Sequence, residues 1–169
     1  MKRNDILNIE NAKILFRNFS GKESQYNRAG DRNFSVILDD PEVVEQLQKD
    51  GWNIHILEPK EDGDEPRHIL RVAVSFKNIP PKVYLVTSRK KTLLTEDTIG
   101  NIDFAEIRNV DLSISPYYWT IENKKEGIKS GVKAYLKTMY VTIEEDVFAN
   151  KYDELDDGID PDEPFMPFH

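Results

Sequence analysis

Residues 104–143 restrict the possible folds of this chain most. From Ile128 to Ile143, Val132, Ala134 and Leu136 recur at every second position, and Met139, Val141 and Ile143 continue the rhythm one residue out of phase. Period two is the spacing of a half-buried strand, and the slip at Lys137–Thr138 is how a β-bulge shows itself in sequence. The other face of this strand carries Lys129, Lys133, Tyr135 and Lys137. Ahead of it, Phe104 to Ser115 alternates as a strand, with Leu112 and Ile114 on one face. Pro116 is expected to end that strand before the aromatic knot Tyr117, Tyr118 and Trp119. Asn123 to Gly127 (NKKEG) reads as the turn between the two runs. Such a sheet packs one face on a core and turns lysines and tyrosines outward. That surface suits a flexible polyanion with flat bases.

The remaining chain is mostly short strands. Ile9 to Phe19 is expected to be the first, with Ile14 and Phe16 on one face and Leu15 and Arg17 on the other. Ser20 to Asn33 is a loop by composition, with two glycines and the bases Lys22, Arg28 and Arg32 around Tyr26. It is a candidate finger for nucleic acid; a solvated hairpin loop is the competing reading. Asn33 to Leu38 is a second strand. Asp39, Asp40 and Pro41 then open a helix with the apolar stripe Val43, Val44 and Leu47, which Gly51 stops. Trp52 to Leu57 alternates as a strand; Trp52 is read as core beside the helix end rather than as a stacking platform. An acidic turn, Glu58 to Arg67, precedes strands at His68 to Phe76 and Lys82 to Thr87, with Arg71 and Lys77 expected to face outward. Ser88 to Lys91 is a basic turn holding Arg89, Lys90 and Lys91, and Thr92 to Thr95 leads away from it. Glu96 to Asp103 reads as polar loop. Six or seven strands, one helix and no internal repeat point to a mainly β domain over residues 1–143, closed as a small Greek-key barrel to hide its edges.

Charge is divided along the chain. The net charge of −8 comes from 31 acids against 23 bases, but residues 144–169 alone hold ten acids and one base. The body is therefore close to neutral and the end strongly acidic. Glu144 to Tyr152 is expected to hold one frayed helical turn, and the last residues, rich in acids and proline, to be a disordered tail. The absence of cysteine excludes disulfides and thiolate zinc sites. No apolar h-region opens the sequence and no apolar run approaches the roughly 20 residues that cross a bilayer, so the expected address is the cytoplasm.

Catalytic signatures do not emerge. His55, His68 and His169 lack partners at metal-ligand spacing, and neither a phosphate-cradling glycine loop nor a nucleophile elbow occurs. Asp39–Asp40 and the acids of Glu61 to Glu65 suit helix capping and turn solvation better than magnesium. The expectation is a non-enzymatic binding module without cofactor or metal. Its candidate nucleic-acid ligands are Lys22, Tyr26, Arg28, Arg32, Arg71, Lys77, Arg89, Lys90, Lys91, Tyr117, Trp119, Lys129, Lys133, Tyr135 and Lys137. Rings would stack bases and cations neutralise phosphates. Because strand neighbours face opposite ways, one of the three aromatics at 117–119 must point inward, and Tyr118 is the choice.

The tail ends in acids followed by Pro164–Phe165 and Pro167–Phe168, a pattern that fits a peptide hook for a partner's apolar pocket with a basic rim. With Asp160, Asp162, Glu163, Phe165 and Phe168, it resembles the C-terminal end of bacterial and bacteriophage single-stranded DNA-binding proteins. The doubled proline–phenylalanine element, the trailing His169 and the lack of a Gly/Gln-rich linker depart from that pattern. The body is similar to the phage-type members in length and in its strands bearing bases and rings. The resemblance implies an OB-fold that binds and protects single strands in replication or recombination within the host cytoplasm, with the tail over residues 144–169 recruiting replication or recombination proteins. A homo-oligomer is compatible with it. The alternatives from other classes are an acidic DNA-mimic inhibitor and a plain β adaptor.

Overall fold

The computed structural model describes residues 6–77 and 79–144. In chain order the strands are β1 (Leu7–Ile9), β2 (Ile14–Asn18), β3 (Arg32–Leu38), β4 (Ile54–Leu57), β5 (Arg67–Val74), β6 (Lys82–Val86), β7 (Lys91–Leu94), β8 (Ile107–Asn123) and β9 (Gly127–Ile143). One α-helix, α1 (Pro41–Lys49), follows β3, and a 3-10 helix spans Ile99–Phe104. The tail residues Asp160, Asp162, Glu163, Phe165 and Phe168, and most of the turn expected at 144–152, lie outside the described residues.

The strands hydrogen-bond in the order β1-β8-β9-β5-β3-β2. All neighbours on this path are antiparallel except β5 and β9, which run parallel through Val72↔Ala134 and Ala73↔Tyr135. The two ends of the path are consecutive in the chain. Between them, the Ala12 amide donates to the Val110 carbonyl at 2.7 Å, and the Ile37 amide donates to the Lys13 carbonyl at 2.9 Å. The bent β1–β2 segment thus touches both edges of the sheet and wraps it into a barrel. Taking β1–β2 as one bent strand, the order first-second-third-fifth-fourth with a parallel third–fifth seam is that of the OB-fold. The β6–β7 hairpin and β4 are additions: β6 continues along β9 beyond β5 in parallel, and β4 pairs with β5.

Inside lie Phe34, Val36, Val72, Val83, Val110, Ile114, Met139 and Val141, all at most slightly exposed, with Val44 and Leu47 of α1 set against them. The helix starts where its capping chemistry predicts. Asp40 accepts from the Glu42 amide at 3.0 Å, and Asp39 pairs with Arg67 at 3.0 Å. Both acids are occupied in holding the fold.

Several expectations change. The first strand is two strands, broken where Asn11 takes a positive φ of 49°, and within the second Phe16 takes one of 53°. The pairing of β2 with β3 slips between Leu15 and Asn18, and Phe16 is turned out to solvent instead of sharing a buried face with Ile14. Thr92–Thr95 is largely paired strand. The polar run 96–103 hides the 3-10 helix, whose Ile99 and Ile102 are fully buried, and the strand that follows starts at Ile107. Phe104 is accordingly 87% exposed. Pro116 does not end its strand. Within β8 it pairs with Ala134 of β9, and the strand runs on through it to Asn123. β8 and β9 therefore run as one hairpin of two 17-residue strands, joined by the turn at 124–126. The bulge stands where the slip placed it: Ser113 pairs with Thr138 and Ile114 with Leu136, leaving Lys137 as the extra residue.

Candidate nucleic-acid interface

Alternation fixes which side chains of the hairpin face outward. Val132, Ala134 and Leu136 are buried, so Lys133 and Tyr135 point the other way. On β8, Tyr118 packs against the core while Tyr117 and Trp119 share the outer face, the facing chosen from sequence. Tyr117 lies opposite Lys133, and Trp119 opposite Gly131. The rings of Tyr117 and Tyr135 meet edge to face at 6.1 Å and 89°, and the Lys133 ammonium sits 5.1 Å from the Tyr135 ring centre.

This outer face forms one wall of a cleft of about 1040 Å³. The opposite wall is β3 and β5, which contribute Arg32, Asn33, Arg71 and Ala73, with Ser75, Phe76 and Lys77 just beyond β5. Trp119, Lys133 and Tyr135 line the hairpin side. Four cations, Arg32, Arg71, Lys77 and Lys133, thus meet two acids, Asp31 and Glu96. Glu96 is committed to Arg32 at 3.5 Å, and the Arg32 guanidinium also lies 5.6 Å from the Phe76 ring centre. Arg32 is therefore braced, whereas Arg71, Lys77 and Lys133 are exposed.

The loop 19–31 stands at one end of this surface and is built rather than slack. The Asn27 amide nitrogen donates to the carbonyls of Lys22, Arg28 and Asp31 at 2.9–3.0 Å, and its oxygen accepts from Asn33 at 2.8 Å. Gly21, at φ 72°, lets the loop close on itself: a Cβ there would stand 3.0 Å from the Gly30 backbone. Lys22 and Arg28 are exposed, and Tyr26 is 83% exposed. Gly30 and Asp31 carry the loop into the cleft. The loop between the first and second barrel strands and that between the fourth and fifth are the ones that flank oligonucleotides on OB barrels, over the second and third strands. Here they are the Asn27 loop and the β8–β9 turn, over β3 and β5.

Not all of the expected residues gather there: Lys22, Tyr26, Arg28 and Tyr117 do not line the cleft. Lys129 is at the distal end of the hairpin and pairs with Glu126 at 2.6 Å. Lys137 occupies the bulge, exposed beyond the cleft. Arg89, Lys90 and Lys91 belong to the β6–β7 turn and its edge, also outside the cleft. Conversely, His55, Phe76 and Trp52 line the cleft without having been singled out as ligands. Trp52 is core, as expected: it is 4% exposed and bridges to Val132. His55 pairs with Ile69 across β4–β5 and is exposed, a placement set by a non-local pairing.

An OB barrel with a cationic, ring-lined cleft over its second and third strands is a single-strand nucleic-acid-binding fold. The family described as "Putative phage ssDNA-binding domain" matches residues 1–162, and the chain belongs to that family. Among solved structures it is similar to the single-stranded DNA-binding protein of bacteriophage Enc34. In complex with ssDNA, that protein aligns at 11% identity and TM-score 0.48 over 83% of this chain and 88% of that one. As a C-terminal truncation it aligns at 11% identity and TM-score 0.46, over 83% and 87%. It is also similar to gp2.5, a single-stranded DNA-binding protein encoded by bacteriophage T7, at 12% identity and TM-score 0.42 over 96% and 99%. No curated protein matches the sequence. Among the described residues no helix is long and apolar enough to cross a membrane.

Proposed function

We propose that this protein holds single-stranded DNA in the β3–β5–hairpin cleft without preference for sequence, as a non-catalytic partner of phage DNA replication or recombination in the host cytoplasm. The observation that carries this is the convergence of Trp119, Tyr135, Lys133 and Arg71 on one cleft from three strands. Each base stacked on an aromatic ring gains about 1–3 kcal/mol, and every base has a face to stack. Arg71, Lys77 and Lys133 supply charge along the path of the phosphates. The cleft's cationic lining runs against a DNA mimic, which would spread acids over this surface. The acidic tail, with Phe165 and Phe168 near its tip, is the segment that recruits replication or recombination proteins.

Titration of the full chain with oligo(dT), followed by tryptophan emission at two salt concentrations, tests the reading. Quenching is expected, with an affinity falling as salt rises. Neutralising about three phosphates predicts a log–log slope of roughly −2 for a single strand. Emission and mobility that do not respond to oligo(dT) at low salt would refute it.

A further inference from the structure

The bulge at Lys137 has a geometric effect beyond the cleft. Tyr140 lies five positions after Tyr135, an odd number, and in a regular strand would face the core. The extra residue at Lys137 restores the phase, so Met139 and Val141 are buried and Tyr140 returns to the outer face. The exposed row along β9 therefore reads Lys133, Tyr135, Lys137, Tyr140: base, ring, base, ring. Beside Tyr140 on β6 stands its register partner Tyr84, the two rings stacked at 5.1 Å and 16°. The Lys91 ammonium lies 4.6 Å from the Tyr84 centroid and 5.8 Å from that of Tyr140. The only acid paired across from Tyr140, Asp111, accepts a hydrogen bond from the Asn11 amide at 2.9 Å.

We infer that Tyr140, Tyr84 and Lys91 form a second stacking subsite for single-stranded nucleic acid, continuing the track of the cleft along β9. This rests on the cleft reading and lengthens its footprint. Tyr135 and Tyr140 are separated by about four extended steps, roughly 13 Å. A strand leaving Tyr135 passes Lys137 and then meets a ring pair with an ammonium at its edge. A base stacks on the free ring face, and the ammonium accompanies the adjoining phosphate. The site needs an occupant long enough to reach it, so its contribution depends on oligonucleotide length.

The test compares oligo(dT) of about four and about twelve nucleotides, the lower and upper parts of the range one OB barrel covers, on the full chain at low salt. Tyr140→Leu is expected to weaken the twelve-mer on the order of tenfold and leave the four-mer unchanged. Lys91→Gln is expected to weaken the twelve-mer a few-fold and to make its salt slope shallower by about 0.7. Unchanged twelve-mer binding in both variants overturns the subsite while leaving the cleft intact. Equal weakening at both lengths, with a lowered melting temperature, also overturns it, since the rings would then only hold β6 on β9. Should Tyr140→Leu fail to fold, Lys91→Gln decides alone. A wild-type chain that binds neither oligomer removes the cleft reading and this subsite together.

Discussion

Gly131 lies directly opposite Trp119 in the hairpin, and a Cβ built on it would stand 2.7 Å from Cζ2 of the indole. The missing side chain is the space the ring occupies. Gly131→Ala should therefore swing the indole off its seat. The contact is with a partly exposed ring that can move in place of the backbone, so stability should change by less than about 1 kcal/mol. The expected signature is a shifted tryptophan emission maximum and weaker oligo(dT) binding, with a near-unchanged melting temperature.

The two tryptophans separate function from folding. Trp119→Ala should abolish most of the quenching and cost about 1–3 kcal/mol of binding, roughly 5- to 150-fold, at little cost in stability. Trp52→Ala should do the reverse. Emptying a core site of that size costs about 3–5 kcal/mol, read as a melting temperature lower by on the order of 10 °C. Paired titrations and thermal melts on the two variants check this.

Charge in the cleft should be read by salt. Arg71→Ala and Lys133→Ala are each expected to weaken every oligonucleotide by a similar factor, whatever its sequence. Each should make the slope of log affinity against log salt shallower by about 0.7. Lys129→Ala, whose ammonium is already held by Glu126 far along the hairpin, should change the slope less. Titrations of oligo(dT) and a mixed-sequence oligonucleotide across a salt series distinguish these outcomes.

Asn27 is the brace of the Ser20–Asp31 loop. Asn27→Ala removes two N–H groups shared among three carbonyls and one acceptance from Asn33. Since the loop is exposed, water replaces part of what is lost, and about 1–2 kcal/mol is the expected cost in stability. The loop should become the first point of proteolytic cleavage, and affinity should fall severalfold because Lys22, Tyr26 and Arg28 are no longer held beside the cleft. Limited proteolysis with and without oligo(dT) provides the measurement.

Removing residues 144–169 takes away ten acids and one base. The remaining chain should bind oligo(dT) as tightly as the whole or more tightly, with the gain shrinking as salt rises. A full chain that leaves oligo(dT) unretarded would speak for an acidic mimic, whose inhibitory activity the deletion should destroy. Side-by-side titrations of the full and shortened chains decide it.

Local spacing in the sequence revealed much of the cleft's hairpin wall. The slip at Lys137, the facing of Tyr118 and the capped start of α1 all follow from rules spanning a few residues. What local rules missed depended on distant partners. Pro116 reads as a terminator by local rules, and its place inside β8 rests on a partner across the hairpin, Ala134. Tyr84 and Tyr140 are 56 positions apart and become neighbours only through the parallel pairing of β6 with β9. The 3-10 helix had a signal, since Ile99 and Ile102 repeat at three residues, but it sat among polar neighbours that disguised it. Arg17 then fastens that turn, donating to the carbonyls of Ile102 and Ala105 at 2.7 and 2.8 Å, a contact across 85 residues or more.

The parallel seam between β5 and β9 joins only two residue pairs, some 62 positions apart in the chain. Nearly everything on the hairpin side of the cleft is made after residue 116. A chain emerging from the ribosome therefore carries one wall of the cleft, Arg32 and Arg71 included, before the other wall exists. Both walls can act together on a strand only once Trp119 to Tyr135 have been made. Such long-range closure is also the slow kind of folding step, which would tie the onset of binding to formation of that seam.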